Sequence, residues 1–340
     1  MFNMLYSLTV LILFLAVCLF GAAYKRIDSA KDYHRRLNSF RGIFALEIVI
    51  GHVVRYERTV LYPLGKIMII SVAFFLFVSA FGMVRSYREN KNYLKGFLTC
   101  KVLYLLILTA ITYGVNLLFD WFSGWKLSYY VPGKNILTTA VSMTNWYLKE
   151  LILFYLLFYL VYKYIRRFRV LIITVISAAF GTLVFLDGWI QGWYASILAF
   201  PAGLAFGEYF DNINGFMKTI WGKLITGALA LAGGCSLFFD ENSLLGMVYL
   251  RNAMCIAGLL MLIYFCSFFE TGNKASRLLG RYSTEIYLFQ FVYLNMSSRF
   301  GWDFELRLIF VLAATLLTAV AVHPLTGFIR RKLRSFQREP

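Results

Sequence analysis

Arg41 and His52 stand eleven residues apart in the run Arg41-Gly42-Ile43-Phe44-Ala45-Leu46-Glu47-Ile48-Val49-Ile50-Gly51-His52. A guanidinium grips a phosphate through two parallel N–H bonds. A neutral imidazole takes a proton from a hydroxyl or attacks an acyl carbon. At 100° per residue the two return to within about 20° of one helical face, about 16 Å apart along the axis. Both residues are costly in or beside hydrocarbon, so the apolar run around them asks for a functional reason. The plainer readings are an arginine snorkelling to the interface and a hydrogen-bonded interfacial histidine. Glu47 lies about 120° and 140° from the two on the helical wheel. It is therefore expected to meet a polar group of another helix or a substrate, not to orient His52.

The elements that must position these groups are membrane helices. Hydrophobic residues make up 60% of the 340, aromatics 19% and charged residues only 15%, which excludes an ordinary soluble domain. Apolar stretches close to bilayer length recur throughout. Eleven are expected, at about 4–23, 38–54, 67–84, 102–119, 146–162, 170–187, 193–209, 220–239, 247–268, 283–300 and 308–328. The alternation of barrel strands is absent. The fold class is thus an all-α integral membrane protein with one N-terminal helix ahead of a ten-helix core. Its parts are an anchor helix and basic loop (1–34), a membrane domain (35–328) and a basic tail (329–340).

The net charge of +17 does not point to nucleic acid. Basic residues crowd alternate connections: Lys25 to Arg41, Arg85 to Lys101, Lys163 to Arg169, Lys274 to Arg281, and Arg330 to Arg338. By the positive-inside rule these are cytoplasmic, with the N-terminus outside and the C-terminus inside. Lys25-Arg26 follows the first apolar run and nothing basic precedes it, the pattern of a reversed anchor helix, not a cleaved signal. The five scattered cysteines read as packing residues, and three dispersed histidines suggest no metal site. His34 reads as a basic-loop residue and His323, before Pro324, as support for a helix kink.

Other segments carry polar groups into the apolar frame. Ser79 lies in the aromatic helix that contains Phe74-Phe75, where small residues favour close packing. Trp146 and Glu150 open the span that begins Asn145-Trp146-Tyr147-Leu148. This opening reads either as an aromatic belt with a polar start or as a segment whose Glu150 faces a polar cavity. Ser283 and Glu285 open the span Ser283-Thr284-Glu285-Ile286-Tyr287-Leu288-Phe289-Gln290, with Ser283 expected as its cap.

In this order the segments resemble the acyltransferase family 3 of bacterial membrane proteins, over roughly Arg35 to Phe328. The strongest likeness is the arginine, ten intervening residues and histidine of the family's first core helix, here Arg41 and His52. Phe74-Phe75 through Ser79 is similar to its "FF…SG" helix, with Ala80 where glycine is usual. Asn145-Trp146-Tyr147-Leu148 resembles its Trp-aromatic-Leu opening, and Gly280-Arg281-Tyr282-Ser283 with Ile286-Tyr287-Leu288 its "G-x-S…I-Y-L" segment. Two positions depart from the pattern. Phe289-Gln290 stands where a histidine often follows I-Y-L, and Lys101-Val102-Leu103-Tyr104 keeps one charge of an R-x-x-R segment.

The resemblance implies O-acyl transfer, usually of acetyl, from cytosolic acyl-CoA as cosubstrate to a hydroxyl of an envelope glycan or lipid-linked saccharide. It implies a multi-pass protein of the bacterial cytoplasmic membrane that works beside other envelope-biosynthesis proteins, with no tightly bound cofactor. Arg41 and Lys101 would bind the acyl-CoA. His52 would be the catalytic residue, as general base or as acyl carrier. Glu47, Ser79, Trp146, Glu150, Ser283 and Gln290 would share a polar cavity. The competing readings are a lipid or sugar transporter, disfavoured by the lack of internal repeats, and an inactive family member. The charge pattern predicts that a C-terminal green fluorescent protein fusion fluoresces while the matching alkaline phosphatase fusion is inactive. The reverse result would invert the topology.

Overall fold

The computed structural model describes residues 12, 20–27, 29–55, 61–122, 146–235, 242–270 and 273–335. The expected first helix, all but a few residues of it, and the Trp/Tyr-rich connection 123–145 lie outside the described residues. The chain is almost wholly helical. After strand β1 (Ala23–Tyr24) come α1 (Ala30–Ser39), α2 (Arg41–Val54), α3 (Tyr62–Glu89), a π-helical turn (Leu98–Leu103) running into α4 (Tyr104–Phe122), α5 (Trp146–Tyr164) and α6 (Arg169–Leu186). Then follow α7 (Gly192–Ala195), α8 (Ala199–Glu208), α9 (Phe210–Lys218), α10 (Ile220–Cys235), and a second π-turn (Leu245–Leu250) leading into α11 (Arg251–Phe268). Strand β2 (Phe269–Glu270), α12 (Lys274–Arg281), α13 (Ser283–Arg299) and α14 (Phe304–Ser335) complete it.

Among the described residues six helical stretches are long and apolar enough to cross a bilayer: Ala30–Val54, Met68–Glu89, Leu98–Leu118, Arg169–Leu186, Leu245–Phe268 and Phe304–Ser335. The first two are the most buried, at 67% and 61% of their windows, against 22% for Arg169–Leu186 and Phe304–Ser335. So α2 and α3 form the centre, and α6 and α14 lie at the periphery. Leu171, Leu183, Leu317 and Phe328 point outward from the peripheral pair.

Lipid tails are as apolar as leucine, so close packing must hold the centre together. Glycines supply it. A Cβ on Gly203 would sit 2.3 Å from the Phe77 carbonyl, and one on Gly207 2.9 Å from Val84. Gly203-Leu204-Ala205-Phe206-Gly207 is therefore a small-xxx-small face of α8 laid on α3. Aromatic rings fill the spaces beside this contact: Phe206 edges onto Phe81 at 5.1 Å, and Phe154 stacks on Phe200 at 4.2 Å.

The window 193–209, expected as one span, is instead two helices broken at Ser196-Ile197-Leu198. Pro201 falls in the first turn of α8, where a missing N–H costs nothing. The backbone groups released by the break are met by Asn252 of α11, which is wholly buried. Its amide nitrogen donates to the carbonyls of Tyr194 (2.6 Å) and Val248 (2.7 Å), and its oxygen accepts from the Leu198 N–H (2.8 Å). Broken helices persist at membrane depth only where such partners exist.

At one end β1 pairs antiparallel with β2, and Lys25 and Arg35 both meet Glu270 (3.3 and 3.6 Å). Buried Arg36 donates to the Cys266 carbonyl (2.8 Å) in the last turn of α11, where carbonyls lack helical partners. Replacing Asn252 by Leu removes both side-chain bonds at the break, to Tyr194 and Leu198, and the bond to Val248 one turn back in its own helix. The expected loss is about 1–3 kcal/mol for each buried group left unpaired, read as a lower unfolding midpoint in detergent. An unchanged midpoint would show that the stitch carries no stability.

Candidate functional site

A cavity of about 620 Å³ lies where α2, α4 and α13 begin and α3 and α14 end. Its wall carries Arg41 from α2, Lys101 from the first π-turn, and Arg330 and Arg334 from α14. No aspartate or glutamate is among its lining residues. Lys101 feels the like charges of Arg330, Arg334 and Arg41. Hydroxyls and one imidazole complete the lining: Ser79, Ser86, Tyr93, Tyr104, Tyr147, Tyr155, Ser283, Thr284, Tyr287 and His34. Burial pushes the Tyr93 phenol above its usual range, so it adds a neutral hydroxyl and no negative charge.

Two of the cations lie against aromatic rings. Arg330 donates to the Tyr104 hydroxyl (3.0 Å) and its guanidinium lies 4.9 Å from that ring. Arg41 lies 6.0 Å from the Phe75 ring, and its buried Nε reaches no hydrogen-bond acceptor among the described residues. Gly42 explains how Arg41 is placed. A Cβ there would sit 2.5 Å from the Gly280 nitrogen, so α2 and α12 touch backbone to backbone beside the guanidinium. Opposite, Ser79 and Tyr155 share a 2.7 Å hydrogen bond across α3 and α5. Gly82 leaves room for His34, whose Nε2 lies 2.9 Å from where a Cβ would stand. Asn38 packs on the same ring through its amide (3.1 Å). Such a wall suits a polyanionic ligand with hydrogen-bonding groups.

The structure brings together Arg41, Lys101, Ser79 and Ser283 of the residues singled out in the sequence. His52 does not line this cavity. It stands about three turns beyond Arg41 along α2, with its ring edge-on to Phe291 at 5.0 Å. Glu47 is buried with Ser71 as its polar neighbour, and neither carboxylate oxygen makes a hydrogen bond of ordinary geometry. Trp146 lies against the backbone of Gly192, away from the cavity. Glu150, expected in a polar cavity, lines a separate apolar one of about 220 Å³ with Leu153, Phe154, Leu157, Ile176, Ser177, Phe180 and Ile197. Gln290 is fully buried, and its amide donates to the Tyr287 carbonyl (3.3 Å) in place of facing the cavity. Four of the six residues expected to share one polar cavity are thus outside it, because each projects from a helix face turned toward a neighbouring helix.

Ser283 does not cap α13. Tyr282 holds that position without a side-chain bond, and Ser283 is already helical. Glu285 reaches across to α14, accepting from Thr326 and from His323 Nδ1 (3.0 Å). Arg281 Nε donates to His323 Nε2 (3.2 Å), so the proton of a neutral imidazole sits on Nδ1, facing the carboxylate. α14 runs unbroken through Pro324. His323 therefore ties two helices together and marks no break.

Four cavity residues escaped the sequence reading. Arg330 and Arg334 looked like members of a basic tail, and His34 like part of a basic loop. Tyr155 sits in a uniformly aromatic span. Only its helical spacing from Tyr147 and Leu151 signals a shared face.

Compared with known proteins, residues 34–324 match a family model described as an acyltransferase domain. No curated protein and no solved structure matches the chain. The Arg281–His323–Glu285–Thr326 linkage yields its own test. Glu285→Ala leaves His323 Nδ1 without its acceptor, while the Thr326 hydroxyl keeps the His323 carbonyl, a cost of about 1–3 kcal/mol. A lowered unfolding midpoint is expected, with His323→Ala adding little in the double variant. Full additivity would mean the two residues act separately.

Proposed function

The chain belongs to acyltransferase family 3, and from that membership we propose that it moves an acyl group, acetyl by preference, from acyl-CoA to a hydroxyl of an envelope glycan. The observation that carries the donor assignment is the cavity with four cations and no carboxylate. Acyl-CoA joins a phosphate-rich nucleotide end to a long thin arm that ends in a thioester. Arg41, Lys101, Arg330 and Arg334 hold the phosphates, and the arm runs beside α2 toward His52. The reading takes the basic connections as cytoplasmic, which would open this cavity to the side where acyl-CoA is made.

His52 acts as a general base. Its neutral imidazole takes the proton of the acceptor hydroxyl while that oxygen attacks the thioester carbonyl. The new C–O bond forms, the C–S bond breaks, and the proton passes to the departing thiolate as free CoA leaves. Arg41 anchors the donor so that the carbonyl reaches the imidazole at the far end of the same helical stripe. An unprotonated imidazole is required, so rates should rise with pH until His52 is deprotonated in the donor complex.

In purified protein, acyl transfer or acyl-CoA hydrolysis should fall by about a hundredfold or more in His52→Ala, chiefly in kcat. In Arg41→Ala the loss should appear chiefly in KM for acyl-CoA. Movement of a saccharide across the bilayer with no acyl transfer would contradict the assignment and favour a transporter. Envelope glycans from a deletion strain should lose O-acyl groups that return on complementation.

A further inference from the structure

The cavity and His52 are close along one helical stripe, yet the lining stops before the imidazole. α2 and α13 run side by side in parallel. Gly42 abuts Gly280 at one end, and His52 abuts Phe291 further along. Between these points stands Tyr287, the last residue that α13 contributes to the cavity wall. Its ring meets that of Tyr147, from the first turn of α5, edge-on at 4.9 Å, and that of Phe291 at 6.3 Å. Tyr147 and Tyr287 are only 8% and 7% exposed. The Tyr287 hydroxyl is buried, with the Tyr147 backbone as a polar neighbour and no hydrogen bond of ordinary geometry among the described residues. The ring is held mainly by its aromatic contacts.

We propose that Tyr147 and Tyr287 form the constriction that separates the cation-lined cavity from His52, and that they set which part of a ligand reaches the imidazole. Displacing one ring opens a path wide enough for a methylene chain and too narrow for a nucleotide. Phosphates thus stay among the cations while a thin acyl-bearing arm passes. The same two rings keep water in the cavity away from His52 when no arm is threaded, which protects a thioester from hydrolysis. The specificity consequence rests on the acyl-donor reading above. The constriction itself can be tested without any donor.

The test uses the full chain in inside-out vesicles, with Cys18, Cys235, Cys255 and Cys266 replaced by serine or alanine and His52→Cys introduced. Native Cys100 lines the cavity and is kept as an internal reference. A small, charged, membrane-impermeant methanethiosulfonate is added from the cytoplasmic side, and the rate at position 52 is divided by the rate at position 100. With both tyrosines present the ratio should be low. Tyr287→Ala or Tyr147→Ala should raise it by at least about tenfold, as expected when an open state goes from rare to dominant. Tyr287→Phe keeps the ring and should leave it low. An equal ratio in all variants would overturn the proposal, as would a ratio that stays low in the Tyr147→Ala/Tyr287→Ala double variant. Because no acyl donor is present, failure here is separable from failure of the acyl-transfer assignment, which is read from turnover.

Discussion

Four basic side chains around one cavity, with no carboxylate among its described lining residues, are an electrostatic debt that the rest of the structure accommodates. Two like charges 4 Å apart repel by about 4 kcal/mol at an effective dielectric of 20. A protein would discard such an arrangement unless something anionic relieved it. The Tyr104 ring under Arg330 and the Phe75 ring beside Arg41 soften the repulsion without neutralising it. A polyanion bound there would gain what the folded chain gave up, which is how binding energy is stored in a preorganised site. The surrounding hydroxyls can donate to that anion without adding opposing charge.

Close helix packing turns this charge arrangement into a directional site. The backbone contact of Gly42 with Gly280 sets α2 against the start of α13, so Arg41 and Ser283 face the same space. On the opposite side, the Gly203 and Gly207 contacts hold α8 to α3, and Ser79 meets Tyr155 across α3 and α5. The Glu285–His323 bond then locks α13 to α14, which delivers Arg330 and Arg334. Each contact lies at a different helix pair, yet all bear on the same few cubic nanometres or less. The helical stripe from Arg41 to His52 gives the site its direction, from charge at one end to an imidazole at the other, with aromatic rings between.

Much of this frame was legible in the residues. Apolar windows marked the helices because period and length survive without knowledge of packing partners. The Arg41–His52 spacing located the central helix because a charged residue in hydrocarbon is rare. What was not legible depended on helix pairing. Glu150 looked like a cavity residue, but its face of α5 turns toward α6, where the surroundings are apolar. Arg330 and Arg334 were indistinguishable from topology-setting tail charges until α14 was seen to end at the cavity. Pro201 signals a break in its window, but Asn252, distant in sequence, supplies the bonds that make it tolerable, and no local pattern shows that partner.

The central claim is that the cation-lined cavity binds the phosphate-rich end of an acyl donor. Its most direct test is calorimetric titration of the purified protein with coenzyme A and, separately, with pantetheine, which carries the same arm and no phosphate. Coenzyme A should bind at least about a hundredfold more tightly, a difference of about 2.7 kcal/mol, and the gap should close in Arg330→Ala/Arg334→Ala. Equal affinity for the two ligands, or a gap untouched by removal of those arginines, would contradict the account.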